Sequence, residues 1–156
     1  MPSIAKYSAS LIAKWFLAEN MVRNIQQDSD SITNLKLQKL LYYAQGTYYA
    51  LKNCLLFNDA IVAWEHGPVV EKVYHEYKAN GSNGIQFNED FEMSQIDNED
   101  MAILKDVFDV FGQYYAWKLR NMTHEEDPWK NTPQNQEINV DVIREYFLKE
   151  YIQLDA

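Results

Sequence analysis

Residues 35–52, LKLQKLLYYAQGTYYALK, decide the fold because they place apolar and aromatic side chains on two sides of one predicted helix. At about 100° per residue, one stripe covers roughly 100° of arc. Its members are Leu37, Leu40, Leu41, Ala44, Tyr48 and Leu51. A second stripe on the opposite side contains Leu35, Tyr42, Gly46 and Tyr49.

A helix that is apolar on two sides is either enclosed by its own fold or packed on one side by another molecule. Enclosure is the more common arrangement, since central helices are frequent and exposed tyrosine stripes are rare. If another molecule packs against one side of the helix instead, Leu35, Tyr42 and Tyr49 are the candidate partner-binding residues. Truncating them would then weaken binding and leave folding unchanged.

Four further segments repeat apolar residues at helical spacing. They are residues 7–25, 98–111, 114–122 and 139–152. We expect Thr33 or Asn34 to cap the central helix. We expect Gly112 to end the helix over residues 98–111, and Asn139 to cap the helix over residues 139–152. In the first helix the predicted buried stripe consists of Leu11, Trp15, Ala18, Val22 and Ile25.

The only strand-like pieces are AIVAW at residues 60–64 and GIQF at residues 84–87. Between them, Gly67-Pro68 has the character of a helix start, because proline suits the first helical position. The predicted fold class is therefore mainly α. We expect a compact helical bundle around a central buried helix, with at most a small two-stranded β element.

Charge and hydropathy narrow the classes of partner. The chain of 156 residues has 14 basic and 23 acidic side chains, and its net charge of −9 disfavours direct binding of nucleic acid. No apolar run is long enough to span a bilayer, and the N-terminus lacks the pattern of a secretory signal. Cys54 has no second cysteine to pair with. We expect a cytoplasmic protein that binds neither nucleic acid nor membrane.

Candidate chemistry rests on three histidines and their acidic neighbours. Glu71 and His75 are four residues apart on a helix, but a zinc-protease helix would need a second histidine there. A metal-dependent hydrolase would have to combine His66, His124 and Glu126.

The local alternatives are simpler. His66, just before a predicted helix start, could help to hold a carboxylate or phosphate, but capping of the turn or packing against it is the simpler role. The acids after His124 are typical of a helix start. Thr123 with Glu126 fits a capping box, and Asp127 with Pro128 fits a cap followed by a first helical residue. We find no phosphate loop, nucleophile elbow or dinucleotide fingerprint in the sequence. We therefore predict no catalytic residue, no metal and no cofactor.

Three blocks, in this order, resemble one known family. They are NLKLQKLLYYAQG at 34–46, LFNDAIVAWEHGPVVEKVYHEYK at 56–78 and LRNMTHEEDPWK at 119–130. The chain resembles the Panacea antitoxin-domain family, whose members are also described as phage-associated or SocA-like proteins. The resemblance implies one Panacea-like domain over residues 1–156.

The same resemblance implies a protein without enzymatic activity that neutralises a toxin encoded beside it by direct contact. One branch of the family is described as an adaptor that delivers its toxin to an ATP-dependent protease, which is the alternative function. Family-signature positions carried over to this chain are Leu37, Lys39, Leu40, Tyr42, Gln45, Gly46, Trp64, Gly67, Pro68, Val69, Tyr74, Thr123, His124, Glu126, Pro128 and Trp129. Trp64 and His66 have the least evident structural role, so they join Leu35, Tyr42 and Tyr49 as candidate partner-binding residues.

Overall fold

The computed structural model describes residues 4–27, 31–87 and 90–152. Within them the helices are α1 (Ala9–Gln27), α2 (Asn34–Lys52), α3 (Glu71–Tyr77), α4 (Asn98–Phe111), α5 (Ala116–His124), α6 (Asp127–Lys130) and α7 (Val140–Glu150). Strands β1 (Val62–Trp64) and β2 (Gly67–Val69) form a small antiparallel sheet. Two short 3-10 turns occupy Lys78–Asn80 and Met93–Gln95. The mainly α fold class is confirmed.

Helix α2 is the centre of the molecule. Of its 19 residues, 15 are buried, so it is enclosed on nearly every side. It packs against α1, α3, α4, α5, α7 and β2. The helix begins as predicted, because Thr33 Oγ1 accepts a hydrogen bond from the Lys36 N–H at 3.2 Å. It ends where Asn53 adopts a left-handed conformation at φ 56°.

Some predicted core positions lie at the surface. Val22 of α1 is 47% exposed and Leu51 of α2 is 44% exposed. Val22 lies in the C-terminal half of α1 and Leu51 in the last turn of α2. The buried face of α1 is instead centred on residues including Ile12, Trp15 and Phe16. The predicted role of the Ile25 side chain lies outside the described residues.

The sheet is a tight hairpin, which corrects two predictions. Trp64 pairs with Gly67, so the turn consists of Glu65 and His66, and Gly67 adopts φ 113°. Gly67-Pro68 therefore belongs to a strand, and α3 starts only at Glu71. Proline is accepted in an edge strand as well as at a helix start, because neither position requires the N–H group that proline lacks. Residues 84–87 do not pair with β1, and Gly84 forms only an isolated bridge to Thr33.

The capping predictions for the C-terminal helices have mixed outcomes. Asn139 caps α7 as predicted, since its Oδ1 accepts from the Asp141 N–H at 2.8 Å. The predicted capping box is wrong, because Thr123 lies inside α5 and donates to the Arg120 carbonyl at 2.8 Å. Helix α6 starts at Asp127 with Glu126 at the cap position, one residue earlier than the alternative predicts. The Glu126 side chain makes no capping hydrogen bond and binds tyrosine hydroxyl groups instead.

Candidate partner-binding surface

The tyrosines of α2 point into the protein and hold other helices. Tyr42 is fully buried and donates to Glu126 Oε1 at 2.9 Å. Tyr49 is almost fully buried and donates to Asp141 Oδ1 at 2.7 Å. The proposed contact of Tyr42 with a partner is therefore incompatible with its position, because its ring and hydroxyl are already enclosed. Leu35, at the N-terminal end of the same stripe, is only half-buried.

Gly46 explains why the second stripe of α2 is covered. A Cβ atom at this position would lie 2.6 Å from the ring of Phe147 in α7. The missing side chain lets the two helices approach closely, as small residues do at helix crossings. The stripe therefore contacts α7, and the enclosed arrangement describes α2 correctly.

Glu126 is a buried carboxylate surrounded by tyrosine hydroxyl groups. Tyr42 donates to Oε1 at 2.9 Å, while Tyr43 and Tyr151 donate to Oε2 at 2.9 Å and 2.5 Å. Burial raises the pKa of the Glu126 carboxyl, and the three phenol hydrogen bonds oppose that rise. Glu126 thus ties α2 to the junction of α5 and α6 and to the residue that follows α7.

Asp100 forms a second buried site of the same kind. Tyr7 and Tyr48 donate to its two carboxylate oxygens at 2.6 Å and 3.0 Å. Burial raises the pKa of Tyr7 to about 12, and the hydrogen bond to Asp100 adds to that rise. Through Asp100, Glu126 and Asp141, the tyrosines of α2 reach α4, the α5–α6 junction and α7. Many of the tyrosines therefore serve to hold the helices together inside the protein.

A cleft of about 490 Å³ opens beside the hairpin. Its lining includes the apolar or aromatic residues Leu35, Val69, Trp64 and Tyr74. The Trp64 and Tyr74 rings meet edge to face at 4.9 Å. Polar side chains at the cleft include Glu65, His66, Lys78 and Gln134. Three of the five candidate partner-binding residues, Leu35, Trp64 and His66, therefore lie together at this surface.

An aromatic and basic cluster adjoins the cleft at His66. The Arg120 Nε–H donates to His66 Nδ1 at 3.3 Å, and its guanidinium lies 4.6 Å from the centre of the Trp117 ring. Trp117 is 55% exposed and nearby Tyr115 is 72% exposed. We call His66, Trp117 and Arg120 the Arg120 cluster. Arg120 was not among the predicted site residues, although its spacing of three from Trp117 predicts a shared helix face.

Signature residues beneath the cluster hold the hairpin in place. Lys39 is fully buried, and its Nζ donates to the Pro68 carbonyl at 3.0 Å. Burial lowers the pKa of Lys39 to about 7, and the charge of Arg120 lowers it further. A Cβ atom on Gly67 would lie 2.6 Å from Lys39 Cε and 2.8 Å from Thr123 Oγ1. Only glycine fits this close approach at positive φ.

Trp129 and Gln45 support the same region through backbone contacts. Trp129 Nε1 donates to the Trp64 carbonyl at 2.8 Å and fixes the start of the hairpin turn. Gln45 accepts from the Leu56 N–H at 2.8 Å and donates to the Phe57 carbonyl at 2.7 Å. The signature residues Leu37, Leu40 and Pro128 are buried. Most signature positions therefore have a structural role.

The histidines do not assemble into the metal site considered from the sequence. His124 stacks on Trp129 with ring centres 3.9 Å apart, and burial lowers its pKa. Glu126 is occupied by three tyrosines, and His66 contacts Arg120. Among the described residues, no group of three His, Cys, Asp or Glu side chains is arranged to hold a metal ion. The set His66, His124 and Glu126 thus lacks the geometry that the hydrolase hypothesis requires.

Comparison with known proteins places these features in a family. The family model described as "Antitoxin SocA-like, Panacea domain" matches residues 37–130, which run from α2 to α6 and contain every signature position. The protein Antitoxin SocA of Caulobacter vibrioides is 48% identical over 54 residues. That alignment covers 35% of this chain and 29% of the relative, so the chain spans less than a third of that protein. No solved structure matches significantly.

Within residues 4–27, 31–87 and 90–152, no helix has the combination of length and hydropathy that a membrane-spanning segment needs.

Proposed function

Because the chain belongs to the family of SocA-like antitoxins with a Panacea domain, we propose that it binds and neutralises a cognate protein toxin by direct contact. The family match over residues 37–130 is the observation that carries this proposal. The toxin is encoded by a gene beside this one. The protein acts as a binding partner, without catalysis of its own and without a cofactor.

The surface beside the hairpin is the proposed contact region. Leu35, Trp64 and His66 line the cleft, and the Arg120 cluster extends it along α5. Tryptophan, tyrosine and arginine are the residue types that dominate the binding energy of protein interfaces. An exposed tryptophan beside an arginine and an apolar cleft therefore supports a protein partner. Binding of the toxin to this surface would cover the active site of the toxin and so block its activity.

We further propose that residues 1–156 form one Panacea-like domain. Helix α2 supports this, because it packs against α1 near one end of the chain and against α7 near the other. Separating either helix would expose buried residues of α2 to water.

Co-expression with the adjacent gene tests the proposed function. We expect expression of that gene alone to stop growth, and co-expression with this protein to restore growth and yield a co-purifying complex. A harmless neighbour, or a toxic one that neither binds nor is neutralised, contradicts the proposal. Loss of the toxin only in cells with an active ATP-dependent protease would instead identify the adaptor function.

A further inference from the structure

We infer that the Arg120 cluster and the adjoining cleft recognise an acidic segment of the toxin. A carboxylate of that segment binds the Arg120 guanidinium, and a neighbouring apolar side chain enters the cleft between Leu35, Trp64 and Tyr74. This inference rests on the proposed antitoxin function and assigns the chemistry of its partner.

The Arg120 guanidinium has donors to spare. It carries five N–H groups, of which one donates to His66 Nδ1 and another to Asn121 Oδ1 at 3.0 Å. In the described part of the chain, no carboxylate oxygen lies within 4 Å of Arg120, whereas Arg23 pairs with both Glu19 and Asp109. An arginine with no acidic partner among the described residues, in a chain with 23 acidic and 14 basic residues, is available to an external carboxylate.

The side chain of Arg120 is already held in place. Trp117 precedes it by three residues on α5, so the two share one face of the helix. The guanidinium lies over the Trp117 ring at 4.6 Å, while His66 contacts its Nε from the hairpin turn. An arginine that is ordered before binding loses less conformational entropy when it captures a partner. Bidentate pairing with a carboxylate then adds directional specificity.

The local charge favours an acidic partner in spite of the net charge of −9. Lys78 lines the cleft and Arg120 adjoins it at His66, whereas Glu65 is the acidic side chain lining the cleft. The charge of Arg120 lowers the pKa of both Lys39 and His124, after the larger effect of burial. A bound carboxylate would offset this positive field. A nucleic acid would meet repulsion from the remaining acidic surface.

The cleft supplies the apolar half of the site. Its volume of about 490 Å³ falls within the range of roughly 300–1,000 Å³ that is typical of ligand pockets. Leu35, Trp64, Val69 and Tyr74 provide apolar walls for a large side chain. His66 lines this cleft and also contacts Arg120, so the charged and apolar halves of the site are contiguous. An acidic residue next to a large apolar one is thus the expected motif of the toxin.

Binding of the purified toxin to the full chain tests the inference. The variants are Arg120→Glu, Arg120→Gln and Trp117→Ala, with Lys105→Glu on the exposed surface of α4 as a matched charge-reversal control. We expect Arg120→Glu to weaken affinity at least about 30-fold, the scale of an interface hot spot. Lys105→Glu should change affinity less than about threefold. Unfolding midpoints of all variants should stay close to that of the unmodified protein.

The partner residue is identified by changing each acidic residue of the toxin to its amide. One such change should cause no further loss when combined with Arg120→Gln, and a toxin arginine at that position should restore binding to Arg120→Glu. If the unmodified protein binds and neutralises the toxin and all Arg120 variants do so equally well, the inference is wrong and the proposed function stands. If the unmodified protein does not bind the toxin, both fail. Loss of affinity for a short oligonucleotide, without loss of toxin binding, would also overturn the inference.

Discussion

Glu126 is the residue on which the largest group of tyrosine hydroxyls converges. Burial raises the pKa of its carboxyl above the usual value of 4.5, so the folded protein takes up this proton more readily than the unfolded chain. Between about pH 4.5 and the raised pKa, the folded state therefore binds more protons than the unfolded state does. Across this window the contribution of Glu126 to the free energy of unfolding must fall with increasing pH.

Replacing Glu126 with glutamine removes this titration. We predict that the stability of the unmodified protein relative to Glu126→Gln is greater at pH 4 than at pH 7, as measured by urea unfolding at both values. Glu125→Gln is the control, because this neighbouring side chain is exposed. A difference between the proteins that does not vary with pH would contradict the assigned direction of the pKa shift.

Lys39 gives a pH dependence of the opposite sign. Its folded pKa of about 7 lies below the usual value of 10.5, so the unfolded chain binds more protons between these values. Stability should therefore rise with pH through this window. We predict that the unmodified protein gains about 2 kcal/mol of unfolding free energy relative to Lys39→Met between pH 7 and pH 9. Urea unfolding measures this gain, and an unchanged difference would mean that Lys39 titrates normally.

Tyr43 tests whether the buried hydroxyl groups stabilise the fold. Its ring stacks on Phe111 at 3.9 Å, and its hydroxyl donates to Glu126. Tyr43→Phe keeps the ring and removes one donor from a buried carboxylate. We predict a loss of about 1–3 kcal/mol in unfolding free energy. Tyr115→Phe at an exposed position should cost less than about 0.5 kcal/mol, and equal effects at the two sites would contradict the account.

Among the elements, the helices were more predictable than the hairpin. The bounds of α2 and α4, and the caps Thr33 and Asn139, follow from apolar periodicity and local capping chemistry. The prediction of a helix start at Gly67-Pro68 is wrong, because proline fits an edge strand as well as the first helical position. Gly67 adopts a positive φ in the tight hairpin turn, and this conformation places the segment in a strand. The spacing of apolar residues contains no information about such a backbone conformation.

Gly67 in the hairpin and Gly81 after the 3-10 turn at Lys78–Asn80 provide a matched pair of glycine substitutions. Gly67 and Gly81 both have positive φ, but a Cβ atom on Gly67 would contact Lys39 and Thr123 whereas one on Gly81 would meet open space. We predict that Gly81→Ala costs about 1–3 kcal/mol, the backbone strain alone, because Gly81 has φ 58° and ψ −129°. Gly67→Ala should cost clearly more, because strain and overpacking add. Thermal or urea unfolding gives both values, and equal costs would mean that the close approach to Lys39 has no energetic weight.

At the scale of the whole molecule, the partners of the tyrosines could not be predicted. The residues joined by Tyr42, Tyr48 and Tyr49 are 84, 52 and 92 positions away along the chain. A single sequence contains no information that pairs them. The tyrosine stripe therefore left enclosure and partner binding open, and only the three-dimensional structure distinguishes the two.

The candidate surface was only partly predictable, because it also brings together residues that are distant along the chain. The sequence predicts Trp64 and His66 as partner-binding residues because no local role explains them, and Leu35 because it begins an apolar stripe. The structure brings these three residues to one cleft. Arg120 escaped notice because its importance depends on the absence of an acidic neighbour among the described residues, which is a property of the folded surface.

Titration of the purified toxin with the purified protein, with no protease present, tests direct neutralisation most plainly. Toxin activity and complex formation are recorded together as the ratio of the two proteins increases. The account predicts a stable complex and complete loss of toxin activity once every toxin molecule is bound. A complex in which the toxin remains fully active, or no complex at micromolar concentration, would contradict neutralisation by direct contact.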